Sequence, residues 1–401
     1  MSSAHRFRPV AGLVGVLALL VGACSTGTVD DRGDAATARP EANTTVPAAP
    51  ISHGGDDLDA LLDELIAETG LPAIGVTSFT SDRVIEQAVA GVRRTGDPTP
   101  VGLDDQFSIG SNAKAMTATL VATFVDDGLL GWDTTVADVY EPWLPDIDPA
   151  WTRVTIRQLL NHTSGIDDDT AISLLFDLDL DAPLADQRRA VADTVTDDAP
   201  KRRSGVYAYS SVGYTLAAAL LEELTGTPWE ALVQTRLFDV LGMDSCGFGA
   251  PGTPGEIDQP WGHFDEEGGA ALDPGDPEAD LPQVLAPAGM VHCDMADWVR
   301  FLQSQLRGFR GSTDEIVSPE SFDALSTTPS GSSYALGWLV QSRPNGVTTL
   351  YHHGSNHRFT AEVWLEPESD WGLITVTNLG KTLADPLLAA VDTAMFDRRN
   401  S

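Results

Sequence analysis

Four strand-like runs close the chain with no helical pattern between them: SYALGWLVQ, VTTLYHH, FTAEVWLEP and WGLITVTN. The breaks include Arg343-Pro344-Asn345-Gly346 and Pro367-Glu368-Ser369-Asp370, both rich in turn residues. Parallel neighbours would need long crossovers, so short breaks predict an antiparallel meander. Two more strands are predicted near the start, LPAIGVTSFT and RVIEQAVAG, around a Thr-Ser-Asp turn. Between these groups the pattern is helical: Ser111 to about Asp127, then TIRQLLNH, SVGYTLAAALLEELTG and PWEALVQTRLFDVLG. The last two stop at Gly226 and Gly242. DDLDALLDELIAETG forms a first helix, and a last one is expected from Pro386 to about Phe396. Acid- and Pro-rich connections are read from about Asp167 to Pro200 and from Gly249 to Pro282. The fold class is α+β: early strands join a late antiparallel sheet flanked by helices, beside a mostly helical region.

Residues 1–23 resemble a signal peptide, with Arg6 and Arg8 before the apolar run AGLVGVLALLV. That run is too short to span a bilayer as a stable helix. It ends in Val21-Gly22-Ala23-Cys24, which resembles the lipobox of bacterial lipoproteins. The resemblance implies lipid attachment at Cys24, and so an extracytoplasmic protein held at the cell membrane. Residues 24–55 lack hydrophobic periodicity and are expected to form a disordered tether. The catalytic domain is then expected over residues 56–398. Two cysteines remain, Cys246 and Cys293. Outside the cytoplasm a disulfide between them is the expectation, with two free thiols the alternative. The 59 acidic residues against 24 basic give a net charge of -35, which repels phosphate backbones. Nucleic acid is not an expected partner.

The stretch FSIGSNAKAMTA holds Lys114, one of only three lysines. In a helix, Lys114 lies on the same face as Ser111, three residues before it. Burial disfavours a lysine's charged form, so its amine can take a serine's proton; an arginine stays protonated. Tyr209, in VYAYSSVGY just before a helix, is a candidate to pass the proton on. His352 and His353 precede Gly354 at a strand end, where glycine permits close approach and the N–H of Ser355 could serve as an oxyanion donor. A zinc site would need further ligands at suitable spacing. Only His357 is near, and adjacent strand residues point to opposite faces, so neither metal nor other cofactor is expected.

Taken in this order, these elements resemble the serine β-lactamase and penicillin-binding-protein superfamily. The branch is the class C β-lactamase-like one, with its D-Ala-D-Ala carboxypeptidase, D-aminopeptidase and esterase relatives. Ser111-Asn112-Ala113-Lys114 matches Ser-x-x-Lys, Tyr209-Ser210-Ser211 matches Tyr-x-Asn, and His352-His353-Gly354 matches the Lys-Thr-Gly or His-x-Gly strand motif. TIRQLLNHTSGI at 155–166, Leu241-Gly242-Met243, PAGMVHCDMADWVRFL at 287–302 and Thr377-Asn378 also fit. The resemblance implies acyl transfer: Ser111 attacks a carbonyl, Lys114 and Tyr209 manage the proton, and the N–H groups of Ser111 and Ser355 hold the oxyanion. His352 would bind substrate or orient Tyr209. The implied partner is a small ester or amide, or a cell-wall peptide. Ser211 departs from the family's Asn, which contacts substrate and the lysine; the reach of a shorter hydroxyl to either is in question. This leans the reading towards an esterase or a peptidase of unusual specificity. The alternative is a degenerate scaffold that binds wall peptides without turnover.

Overall fold

The computed structural model describes residues 58–400, apart from 143, 145, 169–174, 176–177, 266–268 and 343–345. The signal peptide, Cys24, the tether and the turn at 343–345 lie outside the described residues. The strands are β1 (Ala73–Phe79), β2 (Val84–Gly91), β3 (Gln106–Ser108), β4 (Gly247–Phe248), β5 (Val291–Asp294), β6 (Leu339–Ser342), β7 (Thr348–Ser355), β8 (Thr360–Glu366) and β9 (Trp371–Thr377). Six form one sheet in the order β2-β1-β9-β8-β7-β6. Every neighbouring pair is antiparallel. The expected meander is present, and the early hairpin joins it through β1 on β9.

Both β1 and β9 are buried along their whole length, so this part of the sheet is covered on two faces. On one side lie α1 (Leu58–Thr69) and the C-terminal helix, with Leu62, Leu65, Leu388 and Val391 packed on Ile74, Val76 and Leu373. On the other lies the larger core, which includes the almost wholly buried α2 (Ala113–Asp126). The helical region contains α3 (Val136–Tyr140), α4 (Ile156–Leu160), α5 (Leu184–Thr196), α6 (Ser211–Thr225) and α7 (Trp229–Val233). After α8 (Ala286–Gly289) come α9 (Met295–Phe309), α10 (Pro319–Ser326) and the C-terminal helix α11 (Lys381–Asn400).

Four details depart from the expectations. A helix, α5, stands inside the stretch read as connection. Its Arg188 is fully buried between Glu222 and Glu230, so charge rather than an apolar stripe anchors much of it. The last helix starts at Lys381 and carries Pro386 inside it. Its first turn is held by distant Asp265, which accepts from the Thr382 hydroxyl and the Leu383 N–H. Ser111 sits in a 3₁₀ turn, Gly110–Asn112, that feeds α2, rather than in the α-helix itself. Finally, β3, β5 and β4 form a second small sheet. Cys293, on β5, is joined to Cys246, just before β4, in a disulfide with Cα atoms 4.1 Å apart.

Candidate active site

The large sheet and the helical region meet at Ser111. The preceding Ile109 donates its N–H to Val291 O, which ties the approach to the small sheet. Gly110 then takes φ of +52° and passes so close to β7 that a Cβ there would lie 2.4 Å from Ser355 N. Gly354 is equally constrained from the other side. A Cβ on it would lie 2.1 Å from Ile109 O and 2.8 Å from Ser111 N. Two glycines therefore bring the N–H of Ser111 and the N–H of Ser355 into one neighbourhood.

Lys114 is wholly buried. Its Nζ donates to Ser111 Oγ at 3.1 Å, to Ala288 O at 2.7 Å and to Ser211 Oγ at 3.4 Å. Oxygens of Ser111, Ser211 and Ala288 thus surround the Lys114 amine, within reach of the hydroxyl proton it is to take. Ser211 is long enough to reach the lysine, which answers the question of its reach on that side. Tyr209 OH stands 2.9 Å from Ser111 Oγ. Its ring lies 4.8 Å under the Lys114 Nζ. Ser111, Lys114, Tyr209 and Ser211 are brought together, although Lys114 and Ser211 are separated by 97 positions.

The two histidines of β7 part company. Strand alternation buries His352 and leaves His353 half-covered on the opposite face. His352 Nε2 shares a 2.8 Å hydrogen bond with Tyr334 OH. Burial, then the charge on Lys114, lowers its pKa to about 3, so the ring is neutral. His353 corrects the sequence-based assignment to the site. Its Nε2 pairs at 2.9 Å with Asp385 on α11, behind the sheet.

Three residues were missed from the sequence. Asp168, buried, accepts from the Ser210 hydroxyl and from the N–H groups of Ser211 and Val212, capping α6 from a distant loop. Burial pushes its carboxyl up to about 6 despite those donors. His162 is also buried, with φ of +60°. Its Nδ1 accepts from Ser210 N at 3.0 Å, which leaves the proton of the neutral ring on Nε2. The ring packs between Tyr209 at 4.3 Å and Tyr334 at 4.4 Å. Tyr334 is the third. His162 lies within TIRQLLNHTSGI, a phrase noted for its resemblance rather than for a role; Asp168 and Tyr334 gave no local signal.

A family model described as Beta-lactamase matches residues 58–394. Penicillin-binding protein 4 of Amycolatopsis lactamdurans is 34% identical over 270 residues, 66% of this chain and 65% of that protein. The chain thus spans just under two thirds of that curated relative. Among solved structures, the octameric penicillin-binding protein homologue from Pyrococcus abyssi has a TM-score of 0.66 at 21% identity, over 80% of this chain and 73% of that one. D-alanine carboxypeptidase AmpC from Burkholderia cenocepacia has 0.64 at 18%, over 82% and 96%. At those identities the likeness is one of fold, the β-lactamase/transpeptidase-like arrangement of sheet and helices.

Proposed function

Because the chain belongs to the Beta-lactamase family, we propose that it is a serine hydrolase that forms an acyl-enzyme at Ser111. One observation carries this reading: Ser111 Oγ lies within hydrogen-bond reach of both Lys114 Nζ and Tyr209 OH, at 3.1 and 2.9 Å. Oγ attacks the substrate carbonyl carbon and its proton passes to the Lys114–Tyr209 pair. The N–H groups of Ser111 and Ser355 receive the carbonyl oxygen as it becomes negative. The pair returns the proton to the leaving oxygen or nitrogen as the carbonyl–leaving-group bond breaks. Water then attacks the ester on Ser111 and frees the acid. An ester or amide is the substrate class this supports. His352 acts in this reading through Tyr334, whose hydroxyl its Nε2 meets and whose ring packs on Tyr209.

The same proposal places the enzyme outside the cytoplasm, tethered through lipid on Cys24. The apolar run before Val21-Gly22-Ala23-Cys24 supports it, as does the Cys246–Cys293 disulfide. Labelling with a fluorescent phosphonate and hydrolysis of a p-nitrophenyl ester test the activity. Wild type is expected to label and turn over, and Ser111→Ala to do neither. Full activity in Ser111→Ala would refute the nucleophile, and an inert wild type would favour a binding scaffold. Mass spectrometry of the mature N-terminus tests the anchor, and an unmodified form lacking Cys24 would refute it.

A further inference from the structure

Two large apolar side chains stand exposed three and two positions before Tyr209: Val206 at 52% and Tyr207 at 42%. Their neighbours explain why this is more than a stray surface tyrosine. The Tyr207 ring contacts the His162 ring edge-on at 5.9 Å. It lies 6.1 Å from the Tyr334 ring. His162 and Tyr334 are both buried and both pack against Tyr209, whose hydroxyl touches Ser111 Oγ. An exposed ring is therefore fixed to a rigid aromatic floor, and that floor is shared with the residue that reaches the nucleophile. The backbone holds it in place as well: Gly205 donates its N–H to Thr163 O and Ala208 to His162 O, on either side of the ring.

We propose that Val206 and Tyr207, on the chain just before Tyr209, form an aromatic subsite for the Ser111 reaction, and that the preferred substrates are esters or amides carrying an aromatic ring. The proposal rests on acyl transfer at Ser111 and names its substrate class. A tyrosine suits the task because its ring offers a large rigid face with few rotatable bonds to freeze. The floor beneath it is already ordered, so stacking a substrate ring orders only Tyr207 and Val206.

Three esters separate the possibilities: methyl acetate, methyl phenylacetate with the ring on the acyl side, and benzyl acetate with the ring on the leaving side. Their kcat/KM values are measured for wild type, Tyr207→Ala and Tyr207→Phe. The ratio of at least one aromatic ester to methyl acetate is expected to fall about two- to tenfold in Tyr207→Ala, the range an aromatic pair contributes. Taking each ratio against methyl acetate in the same variant cancels any general loss that the missing Tyr207 ring causes through His162 and Tyr334. Tyr207→Phe should keep the wild-type ratio. An unchanged ratio in Tyr207→Ala for both aromatic esters overturns the subsite while leaving the hydrolase reading intact. Wild type inert towards all three, and towards the matching amide phenylacetamide, overturns the hydrolase reading and the subsite with it.

Discussion

Ser211 Oγ lies 3.4 Å from Lys114 Nζ, so the residue that departs from the family's Asn still touches the lysine. It does so because Asp168 grips the N–H of Ser211 and fixes the first turn of α6 towards α2. What the shorter side chain lacks is an amide that extends past the lysine. Ser211→Ala removes one of the oxygens around a buried Nζ. Such a hydrogen bond is worth about 1 kcal/mol, so kcat on a small ester should fall roughly fivefold. Ester turnover in Ser211→Ala checks this, and a loss approaching that of Ser111→Ala would place Ser211 in the proton transfer itself.

Tyr209→Phe keeps the ring that packs on His162 and deletes only the hydroxyl 2.9 Å from Ser111 Oγ. General acid–base catalysis contributes about 10²- to 10⁴-fold, and kcat/KM should fall within that range. Lys114→Arg should be at least as damaging, since a guanidinium keeps its proton and its planar fork does not fit a pocket shaped around a single amine nitrogen. Circular dichroism of both variants would separate lost chemistry from lost folding. Substantial residual activity in Lys114→Arg would argue against a lysine that accepts the proton.

Gly354→Ala should abolish activity and lower stability together. Its methyl carbon would lie 2.1 Å from Ile109 O and 2.8 Å from Ser111 N, both backbone atoms. Neither can swing away as a side chain would, so β7 and the Ser111 turn must move apart. A shift of even 1 Å at the reacting centre can cost about 10²-fold in rate. Thermal unfolding and ester turnover measured on one preparation check this. Wild-type values for both would show that the turn and the strand are looser than their spacing.

Much of this was readable along the chain. Apolar alternation and turn residues marked the large-sheet strands, and the early hairpin took its expected place. The grouping of Ser111, Lys114 and Tyr209 was legible because three motifs occur in order, and their side chains do lie within reach of one another. His353 was misassigned because a motif names neighbours in sequence, whereas a strand sends neighbours to opposite faces. β3, β4 and β5 are two to four residues long, too short to show a period. Asp168 and Asp265 escaped for a different reason. Each holds a helix start from far along the chain, 43 residues for Asp168 to Ser211 and 118 for Asp265 to Leu383, and local helix signals do not reveal a distant cap.

The Cys246–Cys293 bond closes a separation of 47 residues. In the chain-entropy account a loop of this size gives about 4 kcal/mol, with measured values typically 2–4. Cys293 is buried in the main core, and strand β5 carries both it and the contact to Phe107 on β3. Unfolding free energies from denaturant titrations with and without a reductant should therefore differ by about that amount, and Cys246→Ser/Cys293→Ser should match the reduced wild type. Identical free energies would show that the bond adds no stability.

Acid should destabilise the fold partly through His352. In the folded state its pKa is about 3, below the ordinary 6.5, chiefly because the ring is buried. The unfolded chain therefore binds more protons between those values, and stability drops as pH falls from about 6.5 towards 3. The slope approaches about 1.4 kcal/mol per pH unit for one such group. Asp168 acts oppositely: its pKa of about 6 means that its contribution is largest below the ordinary carboxylate value and is lost as pH rises through 6. Other buried histidines, His162 among them, are also held below their usual range, so the bulk acid response is a sum. Subtraction isolates His352. Its Nε2 meets the Tyr334 hydroxyl, and Gln at this position retains a polar end without a titrating ring. Urea midpoints of wild type and His352→Gln should lie furthest apart near pH 7. They should converge as pH falls to 4, because only wild type has a proton to accept there. A separation that stays constant across this range would mean that His352 does not titrate as buried, and that the Tyr334 contact alone sets its worth.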